Sequence, residues 1–238
     1  MKKETGKKKG ILNLPDAKLT RTPHTRKELL AESKNRVSRI TKEFTAGFEF
    51  INHYPKSVTF FGSTRLNKDN AYHKKALYLA EKISKLGYAI VTGGGPGIME
   101  AANHGAYNIG GPSLGFNIQL PNEQVLNPYV TKSQSFYYFF SRKVALSFSA
   151  EAYLYFPGGY GTLDEFFEIL TLVQTNKIPK VPIILVGSEF WKPLDEFIEN
   201  HLLEKNKTIN KKDFLLYQII DNDEKILEII KKAPMRDE

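Results

Sequence analysis

A chain of 238 residues without cysteine has neither disulfides nor thiolate metal ligands nor a cysteine nucleophile, and 41% hydrophobic with 25% charged residues is the balance of a globular protein that buries a sizeable core. No apolar run approaches the ~18 residues of a membrane span, and no export signal opens the chain, so a cytoplasmic protein without membrane contact is expected. The net charge of +8 is local: residues 1–45 hold 13 basic and 5 acidic residues, and the remainder holds 21 of each. Nucleic-acid binding is therefore not expected of the body, and Lys2-Lys3 with Lys7-Lys8-Lys9 reads as a solvated extension.

Residues 1–25 lack periodicity and are expected to be a flexible basic extension. Over residues 26–55, Leu29, Leu30, Val37, Ile40, Phe44, Phe48 and Ile51 recur at helical spacing, which predicts one or two amphipathic helices packing on the body or on a partner. The third segment, 56–238, is expected to be one α/β domain. Strands are predicted at 57–61, 88–92, 113–118, 152–156, 181–186 and 215–220. Helices are predicted at 70–86, 98–108, 138–149, 161–175, 190–203 and 224–232, with a long loop through Pro121 and Pro128. Nearly continuous apolar strands alternating with helices predict a Rossmann-like, doubly wound parallel sheet in a three-layer αβα sandwich. Ligands of such sheets sit beyond the carboxyl ends of the strands, where three Gly-rich turns fall: Gly62-Ser63, Gly93–Gly97 and Gly158–Gly161.

The turn Pro157-Gly158-Gly159-Tyr160-Gly161-Thr162 precedes a predicted helix, whose free amides and positive dipole end suit an anion. Tight strand-to-helix packing would demand similar glycines, but two such turns on one sheet edge favour anion binding. Neither a Walker A loop nor a Gly-x-Gly-x-x-Gly fingerprint is present, and Phe116-Asn117-Ile118 supplies no acid for a ribose diol. A mononucleotide or sugar phosphate fits better than a nicotinamide cofactor. Glu165 follows Thr162 by three residues on the same helix face, with Asp164 and Glu168 nearby. Acids in a first helical turn also complement the dipole, and charge alone does not separate that role from chemistry. Arg142 and Lys143 could clamp phosphate or be a solvated helix end. Glu100 and Asn103 share a similar ambiguity, His104 reads as structural, and no metal-ligand spacing occurs.

Taken together, Gly93-Gly94-Gly95-Pro96-Gly97-Ile98-Met99-Glu100-Ala101-Ala102-Asn103, Ser141-Arg142-Lys143 and Pro157-Gly158-Gly159-Tyr160-Gly161-Thr162-Leu163-Asp164-Glu165 resemble, in order, the motifs of the Lonely Guy (LOG) family over about residues 56–190. Its members long carried the label of possible lysine decarboxylases. The resemblance implies a phosphoribohydrolase that cleaves nucleoside 5′-monophosphates, AMP-like or cytokinin riboside monophosphates, to free base and ribose 5-phosphate. It implies Glu165 and Arg142 as catalytic residues, and Gly158, Gly159, Tyr160, Gly161 and Thr162 as the phosphate turn. Gly62, Ser63, Gly94, Gly95, Glu100 and Lys143 are expected as further substrate contacts. The resemblance further implies a homodimer that needs neither metal nor cofactor. The basic segment before Lys56 departs from the short plant-type members. Two alternatives stand beside it: a non-catalytic nucleotide sensor or carrier of the same fold, and a pyridoxal-phosphate decarboxylase using Lys143. The loop 119–134 is expected to shape the base pocket.

Overall fold

Strand β1 (Ser57–Phe61) is buried at all five positions, and its alternate residues feed two different cores. Val58 and Phe60 point to one face of the sheet and Phe61 to the other, as the two-residue period of a strand requires. The same alternation holds in β5 (Ala152–Tyr155), where Ala152 and Leu154 join the first core and Tyr153 and Tyr155 the second. A strand buried on both faces needs a helical layer on each side.

The computed structural model describes residues 25–118 and 126–235. The basic extension, apart from Thr25, and residues 119–125 of the expected pocket loop lie outside the described residues. Besides β1 and β5, the sheet contains β2 (Ala89–Thr92), β3 (Ser113–Ile118), β4 (Lys132–Phe136), β6 (Ile183–Leu185) and β7 (Gln218–Ile219). Their order is β4-β3-β2-β1-β5-β6-β7, and every pairing is parallel. Helices α2 (Ala71–Lys85), α3 (Ile98–Asn108) and α8 (Asp223–Lys231) cover one face. The other is covered by the C-terminal part of α1 (Arg26–Asn52) with α4 (Phe139–Ser147), α5 (Tyr160–Gln174) and α6 (Ser188–Phe197). The fold is a doubly wound, three-layer α/β sandwich. Its strand order reverses between β1 and β5, which opens a crevice at their carboxyl ends.

Two elements differ from the sequence-based expectations. Lys132–Phe136 is a strand rather than loop: it is the polar edge of the sheet, with only Phe136 fully buried, so it carries no apolar run to announce it. The helix expected over 190–203 is α6 followed by a π-helical segment, Ile198–Lys205, and a short helix α7 (Lys211–Phe214) follows. The segment 26–52 is one continuous helix, opened by a capping box between Thr25 and Glu28. No described helix is long and apolar enough to cross a membrane.

Candidate active site

Three turns meet at the reversal of strand order, and the backbone of Ser63 fastens them together. Its N–H donates to the Pro157 carbonyl at 3.0 Å, and its own carbonyl accepts from the Ile98 N–H at 3.0 Å. That closeness requires glycine at 97: φ is +72°, and a Cβ there would stand 2.3 Å from the Ser63 carbonyl oxygen. A Cβ at Gly62 would lie 2.7 Å from the Ile98 side chain.

Helix α5 starts at the last of these turns. Its N-cap, Gly159, offers no side-chain cap, and the amides of Thr162 and Leu163 both return to the Gly159 carbonyl, at 3.0 and 3.1 Å. Gly159 and Gly161 border open space, so the start of the helix is accessible to an anion. Thr162 is buried beside Gly158, where a Cβ would stand 2.1 Å from the Thr162 hydroxyl oxygen. The Tyr160 side chain is 93% exposed, so only its backbone can join an anion cradle.

Glu165 lies one turn deeper. It is only 8% exposed, and its Oε2 has no hydrogen-bond partner among the described residues. Burial pushes its carboxyl up to about 7; Arg142 and Lys143 oppose that rise, while Glu168 and Asp164 add to it. Below it, the Tyr155 hydroxyl at the end of β5 donates to the Glu165 carbonyl at 3.1 Å and steadies this turn.

Arg142 reaches in from α4. Burial pulls its guanidinium below the usual range and Glu165 pulls it back. Its Nε has no hydrogen-bond partner among the described residues. Gly93 makes room for it: a Cβ there would stand 2.5 Å from Nη2 and 2.9 Å from Met99 Sδ. A buried carboxylate and a buried guanidinium are thus electrostatically coupled, and each keeps an unpartnered polar atom. Such atoms are uncommon in folded interiors, and two of them on an electrostatically coupled pair make this place the candidate site.

The remaining expected contacts separate into distinct settings. Lys143 bridges Asp164 and Glu168 at 3.0 and 3.1 Å; burial pulls its ammonium down, but the two carboxylates outweigh that and hold it above its ordinary value. Gly94 and Gly95 are buried, and the Gly94 amide donates to Thr92 Oγ1 at 2.9 Å. Glu100 opens onto a neighbouring cleft of about 370 Å³, shared with Arg65, Lys68 and His73. Asn103 is fully buried, accepting from Thr92 Oγ1 at 2.6 Å and donating to Ser113 Oγ at 2.9 Å, and His104 stacks on Tyr129 at 3.8 Å. Sequence reasoning missed Gly93 as the seat of Arg142. It also missed Asn127, whose side chain donates to the Gly95 carbonyl at 3.0 Å and to Asn103 Oδ1 at 2.9 Å. Asn127 precedes a proline in an aperiodic stretch, so no pattern singled it out.

Residues 99–230, more than half of the chain, match the family described as "Possible lysine decarboxylase". A cytokinin riboside 5′-monophosphate phosphoribohydrolase of Rhodococcoides fascians is 28% identical over 156 residues, covering 63% of this chain and 77% of that protein. The enzyme of the same description from Oryza sativa subsp. japonica is 29% identical over 150 residues, covering 61% of each chain. Among solved structures, the molybdenum cofactor carrier protein of Chlamydomonas reinhardtii superposes with a TM-score of 0.56 at 19% identity, over 75% of this chain and 98% of that one. The molybdenum cofactor binding protein of Rippkaea orientalis gives 0.54 at 23% identity, over 74% and 96%. These two share the fold. The chain belongs to the family described as possible lysine decarboxylase, the Lonely Guy family.

Proposed function

We propose that the chain is a phosphoribohydrolase, cleaving the N-glycosidic bond of nucleoside 5′-monophosphates to free base and ribose 5-phosphate. The observation that carries this reading is the buried, unpartnered Glu165 carboxyl one turn inside an uncapped, Gly-rich helix start. The 5′-phosphate sits on the amides at the start of α5, which brings the sugar toward Glu165. As the bond from C1′ to the base breaks, its electron pair leaves with the base and positive charge develops on the sugar. Glu165 faces that charge and takes a proton from the attacking water, and its release to solvent balances the proton that the departing base draws from solvent. Arg142 orients the nucleotide through its free donors. The names of the plant and bacterial relatives support this substrate class.

Lysine decarboxylation through a Schiff base fits poorly, because that chemistry needs a neutral amine and the two carboxylates around Lys143 keep it protonated. Incubating the protein with a panel of nucleoside monophosphates and following base release by chromatography tests the proposal. Free base from at least one of them is expected. Calorimetric binding without any release would make the chain a nucleotide-binding module instead.

The active form is proposed to be a homodimer. A groove of about 500 Å³ lies on the outer side of α5, lined by Leu163, Phe167, Leu172 and Tyr160, and Phe139 and Phe140 of α4 are exposed as well. An exposed aromatic surface of this kind fits a second copy. Sedimentation velocity should return twice the chain mass of 27.1 kDa; a monomer at micromolar concentration would remove this part.

A further inference from the structure

Helix α4 carries Arg142 but begins without a cap of its own: Tyr138 occupies the N-cap position and makes no side-chain cap hydrogen bond. The acceptor comes from another element. Glu43, midway along α1, accepts from the Tyr137 N–H at 2.8 Å through Oε1 and from the Tyr138 N–H at 3.3 Å through Oε2. The Ser141 hydroxyl, fully buried next to Arg142, also donates to Glu43. Carboxylate charge at a helix N-terminus is favourable on both hydrogen-bond and dipole grounds. The seam around it is close: a Cβ at Gly47 would stand 3.2 Å from the Phe136 ring and 3.3 Å from Ala145. Arg36 lies over Tyr138 at 5.3 Å and Arg39 over Tyr137 at 5.0 Å.

We infer that Glu43 is a positioning residue for Arg142: by capping α4 from outside, α1 fixes the first turn of the helix that sets the guanidinium against Gly93 and toward Glu165. The inference rests on the phosphoribohydrolase reading only for its kinetic consequence. Arg142 sits in that first turn, its amide bonded to the Tyr138 carbonyl at 3.3 Å, so fraying at Tyr138 moves it directly. A displacement of about 1 Å at a catalytic group can cost about a hundredfold in rate.

The groups that act on the Glu165 charge are Arg142 and Lys143 from α4 and Asp164 and Glu168 from its own helix. The Tyr155 hydroxyl below it bonds the Glu165 carbonyl. Only the α4 pair depends on Glu43. Withdrawal of Arg142 therefore raises the Glu165 midpoint, a change that loss of general stability would not produce.

The experiment compares Glu43→Ala and Glu43→Gln with Glu49→Gln, the same substitution at an exposed acid of α1. Three readouts are taken on full-length protein: amide exchange at Tyr137 and Tyr138, the Glu165 titration midpoint by carboxylate NMR, and kcat/KM where base release is seen. Glu43→Ala should speed exchange at both amides, raise the midpoint and lower kcat/KM about tenfold or more. Glu43→Gln, which keeps an acceptor but not the charge, should fall between, and Glu49→Gln should match the parent. If Glu43→Ala does not fold, Glu43→Gln carries the same comparison. Exchange and midpoint unchanged in a folded Glu43 variant would overturn the inference. Both can be measured if the parent releases no base, so failure of the hydrolase reading would be seen separately.

Discussion

Glu165→Gln is expected to lower base release about 10²- to 10⁴-fold, the range typical of losing a general acid or base, while nucleotide binding persists. The amide keeps the shape of the side chain but can neither take a proton from water nor oppose a cationic sugar with full charge. The same substitution should stabilise the protein above neutral pH. In the folded chain the carboxyl titrates at about 7, against 4.5 for the exposed group, so between these values the folded state holds more protons than the unfolded one. The stability linked to this group is therefore complete below pH 4.5 and is lost as pH rises through 7. Well above 7 the buried charge costs roughly 3 kcal/mol relative to a neutral group. Thermal melts at pH 5 and pH 8 check this. The glutamine variant should melt close to the parent at pH 5 and higher than it at pH 8, a trade of stability for activity. A variant that is inactive and also less stable at pH 8 would point to a structural role for Glu165.

Arg142→Ala should lower kcat/KM about a hundredfold or more, because it removes donors held in place before the charge develops. It also removes the largest influence opposing the rise of the Glu165 pKa. The rising limb of the kcat/KM profile against pH, which reports the free enzyme, should move upward from about 7. Arg142→Lys should restore the charge but not the planar fork, so the midpoint should return further than the rate does. Gly93→Ala should act as a milder version. Its Cβ meets the mobile end of Arg142 and the Met99 sulfur rather than backbone, so the guanidinium gives way and the fold holds. An unchanged midpoint in Arg142→Ala would separate the two residues and remove the coupled pair from the account.

The glycine turns were the part of this site that the sequence made most legible. Turns after buried strands have little conformational choice, and the spacing at Gly93–Gly97 and Pro157–Thr162 marks where the backbone must come close. The structure joins them through Ser63, a residue expected to touch substrate, whose backbone holds the turns together. The strands β1, β2, β3 and β5 were readable because both their faces are buried. Strand β4 was not, because an edge strand with exposed Lys132, Ser133 and Ser135 has the composition of a loop. The state of Glu165 could not be read either. Acids near a helix start usually serve the dipole, and only its burial sets this one apart from Asp164 and Glu168, which pair with Lys143. Glu43 was hidden for a different reason: it lies 98 residues before Ser141, and no local pattern connects them.

A comparison of AMP with adenosine as substrates of the parent protein tests the central claim most directly. On the proposed reading, the phosphate seat on α5 and the chemistry at Glu165 belong to one site, so AMP should give adenine and ribose 5-phosphate in equal amounts. Adenosine, which cannot use that seat, should release adenine at least about a hundredfold more slowly, since remote binding energy supports the reacting centre. Equal release from the two compounds, or no base released from AMP or from any other monophosphate of the panel, would contradict the account.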